Sequence, residues 1–349
     1  MEELADRSTL LHVACAKGHV ETVTSLADSG ADLMARNIDC NTPLHEACAN
    51  GHSDAAVALI SHPRARRCEI FIDSKNLDRR TPLHLASLNG HTDTATTLIG
   101  LGANIEAEAS IGDTPLHLAA SGGHSTTAIA LILRGANVFA KNKEDSTPLH
   151  SACLGGHLST ALLLTARGID VNTTNVFGST PLHEACFNGH TELALELIKL
   201  GARFVSKKDG NSPLHEACKR GHTATALALI NQGADMNAMN NLGQTPLHLA
   251  CQHYGQTDTA LAIIGRGADI SVSDKYGNTP LHVACCFRLE TAVALISHGA
   301  CISSVNSYGD TPLHHACRHR HVDIVRELVS RGADVSIENF DGCSPLCGD

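Results

Sequence analysis

Apolar residues recur along the chain in two short patterns that alternate almost without interruption. In TPLHEACANGH (Thr42–His52), Leu44 stands three and four residues before Ala47 and Cys48. In SDAAVALISH (Ser53–His62), Ala55 and Ala56 are followed by Leu59 and Ile60 at the same intervals. Spacings of three and four place such residues on one face of a short helix. The punctuation agrees. Thr42 is a good N-cap, Pro43 fits the first helical position where its missing N–H costs nothing, and Gly51 suits a left-handed C-cap. Ser53 and Asp54 then offer a start for the second helix. A polar stretch follows that turns at a Gly two residues before the next Thr, as in DKYGNTP (Asp274–Pro280). The predicted unit is helix, helix, hairpin.

The unit is repeated. Thr-Pro-Leu-His starts at Thr42, Thr81, Thr114, Thr147, Thr180, Thr245, Thr279 and Thr311, reads SPLH at Ser212, and is degenerate at Thr9 (TLLH) and Ser344 (SPLC). Successive starts are separated by 33, 39, 33, 33, 33, 32, 33, 34, 32 and 33 residues. A period of about 33 with T-P-L-H-x-A is the signature of the ankyrin repeat, and from about Glu3 to Asp349 the chain closely resembles an ankyrin-repeat array. The resemblance implies an all-α repeat solenoid: a single array over 1–349 of ten full repeats and a truncated eleventh, stacked antiparallel helix pairs with projecting β-hairpin loops, and a concave side formed by hairpins and first helices. No unit can bury its own apolar faces, so stability would come from neighbours.

Composition fits thin, closely spaced layers. Apolar residues make up 43% of the chain, aromatics only 3%, and Trp is absent. The net charge of −10, spread along the chain, argues against nucleic acid and anionic membrane as partners. No apolar run approaches the ~20 residues that cross a bilayer, and the opening MEELADRSTLLH has no signal-peptide core. Fourteen Cys invite a disulfide framework, but they recur at one repeat position instead of pairing across loops. The expectation is a reduced, soluble protein of the cytoplasm, with the nucleus as an alternative, monomeric in isolation.

His-x-x-Cys pairs such as His45/Cys48 have the i, i+3 spacing of metal ligands, yet equivalent positions in a stack lie roughly 8–10 Å apart, and a closed site needs four ligands. Repeats three and four also replace the Cys with Ser87 and Ala120. A histidine bonding around the cap and turn, with a small buried Cys behind it, explains the motif better, and so does a helix–helix turn for the recurrent Gly-His. No phosphate loop or metalloprotease motif occurs, and the spacing of Cys, His and Asp is the repeat's own. No enzyme, metal or cofactor is expected. His314, His315, His319 and His321 with Arg318 and Arg320 (HHACRHRH) form a local cluster, read as repeat histidines with exposed substitutions or as an anion-binding, pH-sensitive patch.

Specificity should lie where the repeats differ. The residue three before Thr, expected at the hairpin tip, is mostly acidic early (Asp39, Asp78, Glu144) but Phe177, Leu242, Tyr276 and Tyr308 later. Phe187, Tyr254 and Phe287 end first helices on the same expected face, near Lys219, Arg220 and Arg318. Aromatics and Arg on a rigid scaffold are the usual composition of a binding hot spot, so these ten residues are the candidate partner site. The Ala- and Thr-rich second helices read as a convex face with few anchors. The register breaks at the lengthened loop 63–80, with five Arg and an apolar IFI, at the one-residue gain near CQHYGQ, at the loss in CCFRLE, and in the hairpin before Ser212. The chain stops inside the first helix of repeat eleven, which would leave repeat ten partly uncovered. The functional expectation is a protein–protein scaffold or adaptor. Its alternatives are the ankyrin portion of a larger effector (channel, kinase, ubiquitin-ligase or phosphatase regulatory subunit) and a membrane–cytoskeleton adaptor.

Overall fold

The computed structural model describes residues 6–65, 72–252, 257–287 and 289–347. Among them are twenty helices and no strand, in ten pairs running from Leu10–Ala16 and Val20–Asp28 to Pro312–Arg318 and Val322–Ser330. The fold is an all-α repeat solenoid. The chain falls into two compact units, Met1–Val176 and Phe177–Asp349, with five helix pairs in each.

Each first helix starts where the sequence places its cap. Thr42 is extended at φ −88° and ψ 165°, and Pro43 opens the helix. The capping partner at the third helical position is histidine in place of the usual Glu or Gln. His45 Nδ1 accepts the Thr42 backbone N–H at 3.1 Å and lies 2.8 Å from Thr42 Oγ1. A nitrogen that accepts cannot carry the proton, so the proton sits on Nε2, which donates to the Arg80 carbonyl of the next repeat at 3.0 Å. The same bridge recurs in both units, for example from His84 to Asp113 and from His215 to Gln244. The Gly-His histidines reach the other way: His222 Nε2 donates to the Phe187 carbonyl at 3.0 Å. Gly189 makes room for that ring, because with φ +75° a Cβ there would lie 2.5 Å from His222 Nδ1. Repeat ten carries Arg320 in this left-handed position, at φ 58°.

The core is a set of columns. Leu44, Leu83 and Leu116 of the first helices are fully buried in one unit, and Leu182, Leu214 and Leu247 in the other. Beside them run Cys15, Cys48 and Cys153, and Cys186, Cys218, Cys251 and Cys285, all inaccessible. Burial pushes the Cys15 thiol up to about 12 and raises Cys48, Cys218 and Cys251 as well, so these sulfurs pack as small apolar groups. The second helices depart from expectation. Thr94, Thr127, Thr160, Thr225 and Thr259 are buried and tie neighbouring second helices together, as in Thr191 to Thr225 at 2.7 Å and Thr223 to Thr259 at 2.6 Å. Much of the Ala and Thr is seam between repeats, not outer surface.

The long loop is also partly structural. Arg64 Nη1 donates to the carbonyls of Ala27 and Ala31 at 2.9 and 3.0 Å, covering the end of the preceding second helix. Residues 66–71 of the 63–80 loop lie outside the described residues. Ser344 starts no helix: a turn covers Pro345 and Leu346.

Two outcomes test this account. Burial lowers the pKa of His45, His84 and His183 to about 4 from an ordinary 6.5. Between those values the unfolded chain binds more protons, so stability is full above pH 6.5 and falls as pH drops toward 4. Full protonation of each site costs about 3 kcal/mol of stability, and urea midpoints taken from neutral pH down through this window should fall steadily. Ser87 interrupts the Cys column with a buried Oγ that has no partner among the described residues, so Ser87→Cys should stabilise by about 1 kcal/mol in thermal or urea melts.

Candidate functional site

The loop before each first helix folds as a finger without strand pairing. Asn306 Oδ1 accepts the backbone N–H groups of Tyr308 and Asp310 at 2.9 and 3.0 Å, a side-chain turn that fixes the finger locally. Asn240 and Asp274 do the same around Leu242 and Tyr276. Each finger then receives one backbone bond from its successor. Lys208, Lys275, Ser307 and Phe340 donate to the carbonyls of Phe177, Leu242, Tyr276 and Tyr308 at 2.8–3.0 Å. Inside a finger the backbone bonds close only a tight turn, as Asn306 N–H to the Asp310 carbonyl at 2.9 Å, so the expected hairpins appear as linked turns without paired strands among the described residues. In the second unit a glycine after the tip allows the approach: a Cβ on Gly277, φ +77°, would lie 2.8 Å from the donating Ser307 nitrogen.

The fingers lean on the first helices. In repeat seven, Lys207 Nζ meets Glu216 Oε1 at 2.8 Å and Asn211 Nδ2 donates to the same oxygen at 3.2 Å. In repeat ten, Arg318 at the end of Pro312–Arg318 reaches back to Asp310 Oδ2 at 2.9 Å, and Asn306 Nδ2 lies 3.2 Å from His315 Nε2. Finger and first helix therefore share one face. Burial opposes ionisation of Asp310, but the Asn339 amide and the Arg318 guanidinium outweigh it and hold its pKa below the usual carboxylate value.

On this face of Phe177–Asp349, Phe177, Leu242, Tyr276 and Tyr308 stand at finger tips, 55, 45, 47 and 56% exposed. The backbone ladder fixes Leu242, Tyr276 and Tyr308 in a single row. The helix-end group is different. Phe187 and Phe287 are half-buried, not exposed as expected, because the next repeat covers them. The Arg220 guanidinium lies 3.9 Å over the Phe187 ring, and His319 packs 6.4 Å from Phe287. Lys219 is half-buried, Arg220 exposed, and Arg318 exposed but bonded to Asp310. Tyr254 lies outside the described residues.

The histidine cluster is divided among structural tasks. His314 caps its helix and reaches the Cys343 carbonyl, and His321 bonds the Cys286 carbonyl. His315 is 3.2 Å from Cys286 Sγ. Burial, then the neighbouring His282, lowers its pKa to about 4, so it stays neutral at physiological pH. The Cys286 thiol is pushed up to about 11, chiefly by burial, so this pair holds no thiolate. Among the described residues no three His, Cys, Asp or Glu gather as metal ligands, and no helix is long and apolar enough to cross a membrane.

Sequence reading missed part of the apolar surface. Phe340, 78% exposed, extends the tip row from the position before the tip, the position that donates the ladder bond. Ile38 and Leu77 hold that position in the first unit and are also exposed, so the early fingers are less purely acidic than their tips suggest. Reading both finger positions together would have found all three.

Comparisons with known proteins agree with this architecture. A family model described as ankyrin repeats (3 copies) matches residues 58–142, 99–175, 116–208, 182–274 and 247–339, and one described as ankyrin repeats (many copies) matches 11–60. The crystal structure of the human ASB11 ankyrin repeat domain is similar at a TM-score of 0.59 and 31% identity, covering 64% of this chain and 99% of that one. No curated protein matches.

The buried Lys207–Glu216 pair is a direct check on how finger and helix are joined. Lys207→Met leaves a carboxylate that is 2% exposed without its cation, and should lower unfolding free energy by about 3 kcal/mol in urea titrations.

Proposed function

Since the chain belongs to the ankyrin-repeat family, whose repeats are generally protein–protein interaction modules, we propose that it is a non-catalytic scaffold holding partner proteins on the finger and first-helix face of Phe177–Asp349. The observation that carries this reading is the exposed apolar row of Leu242, Tyr276 and Tyr308, with Phe177 and Phe340 to either side. Its backbone is fixed by the ladder before any partner arrives. Large side chains have no folding reason to stand exposed at turn tips. A preformed surface spends little of its binding energy on ordering, so a modest contact area can still hold a partner.

The chemistry-like residues favour the same reading. The histidine bridges and buried thiols are committed to packing, and a typical ankyrin fold is non-catalytic. The Cys columns, made of free thiols, support a reducing compartment, cytoplasm or nucleus, as the working environment.

The test replaces Phe177, Tyr276 and Tyr308 together with Ala. These side chains are exposed, so the melting temperature should stay within a few degrees of wild type. Proteins retained from a native lysate by the wild-type chain should be lost, with apparent affinity down at least about 30-fold. Unchanged retention on a folded triple variant would remove this face from consideration.

A further inference from the structure

Charge on Phe177–Asp349 is unevenly placed, although the chain as a whole is acidic at −10. On the finger and first-helix face several anions are turned inward. Glu216, Asp274 and Asp310 are buried, and each is engaged: Glu216 with Lys207, Asp274 with the backbone of its own finger, Asp310 with Arg318. The cations are turned outward. Lys208, Lys275, Arg220 and Arg320 are exposed. Lys208 and Lys275 also donate the ladder bonds through their backbone N–H groups, so their side chains project from fixed points beside the tips. Exposed anions on these fingers are Asp209, 3.8 Å from Lys207, Glu338 and Asp341, with Asp235, Asp269 and Asp334 exposed where the loops leave the second helices.

The second helices hold an excess of acid over base, with Lys199 and Arg326 their exposed cations. Glu192, Asp258, Glu290 and Asp323 stand in their first turns, all exposed. They complement the helix dipole there and place negative charge away from the fingers. An otherwise acidic unit thus presents one face where cations and apolar tips alternate, Lys275 directly before Tyr276 being the plainest case.

This pattern selects a partner. Nucleic acid would need a denser basic surface than four exposed cations interspersed with exposed carboxylates. A basic segment would face these cations directly, at a cost in like-charge repulsion. An acidic segment with apolar side chains satisfies both halves of the surface at once. Its carboxylates meet Lys208, Lys275 and Arg220, and its rings or aliphatic groups pack against Leu242, Tyr276 and Tyr308. We propose that this face binds an acidic, aromatic- or aliphatic-anchored peptide segment of a partner protein. The inference rests on the reading of the face as a binding surface and adds the chemistry of what it holds.

Selection of a random peptide library on phage against the full chain tests it. The enriched peptides should carry net negative charge together with Phe, Tyr, Trp or Leu. A synthesised member should bind the Lys208→Glu/Lys275→Glu variant at least about tenfold more weakly, and should weaken further as salt rises. Both lysines are exposed, and matching melting curves would establish that the variant folds. Enrichment of basic or uncharged peptides, no enrichment, or binding indifferent to the two lysines would each overturn the proposal. The two readings fail separately. Retention of lysate proteins that is lost in the triple Ala variant, alongside non-acidic selected peptides, would keep the binding face and discard its acidic partner.

Discussion

A neutral imidazole held between two backbones is the constraint on which the rest depends. Within each unit the histidine of Thr-Pro-Leu-His accepts from its own helix cap and donates across to the next finger, as His45 and His215 do. That single ring sets the start of the helix, the distance to the next repeat and the position of the loop that becomes a finger. A protonated ring would have to donate at both nitrogens, and one of them faces an N–H. The bridge therefore works only while the ring is neutral, and burial keeps it neutral. Where a Gly-His histidine also reaches backward, as His52 and His222 do, a layer is tied to its neighbours on both sides, and nothing needs to be tied over longer range.

Much of the fold was legible in the sequence because it rests on local chemistry repeated many times. Thr at the cap, Pro at the first helical position and Gly after the helix each act within a few residues, and ten registers said the same thing. What could not be read is what lies one repeat away. The acceptor of His45 Nε2 is a carbonyl 35 residues downstream. The half-burial of Phe187 depends on Arg220, which sequence reading had counted as a neighbouring surface charge. The projecting loops were expected as hairpins and are tighter than that, because the Asn or Asp at the base of a finger closes it as a turn before strands can pair. The candidate face was legible at its tips, Tyr276 and Tyr308. It was not legible at Phe340, whose exposure follows from a finger register that the repeat period alone does not fix.

The two halves of each repeat therefore carry different burdens. Helix interiors are tightly specified: a Ser among the Cys leaves an orphaned hydroxyl, and a lysine at the base of a finger must answer a buried glutamate. Finger tips are specified in backbone and open in side chain. Stability and recognition are written in adjacent but separable positions, and surface chemistry at the tips can change without disturbing the columns beneath.

The ladder between fingers carries a further consequence, for the alphabet available to each position. At the tip the chain gives its carbonyl to the ladder and its own N–H to the Asn or Asp two residues earlier, as Tyr308 does to Asn306, so proline alone is excluded there. At the residue before it the chain contributes an N–H, which every amino acid but proline possesses. Lys208, Lys275, Ser307 and Phe340 occupy that donating place, and they share nothing except the hydrogen. A surface built this way can be rewritten almost letter by letter, with the same one letter forbidden at both finger positions.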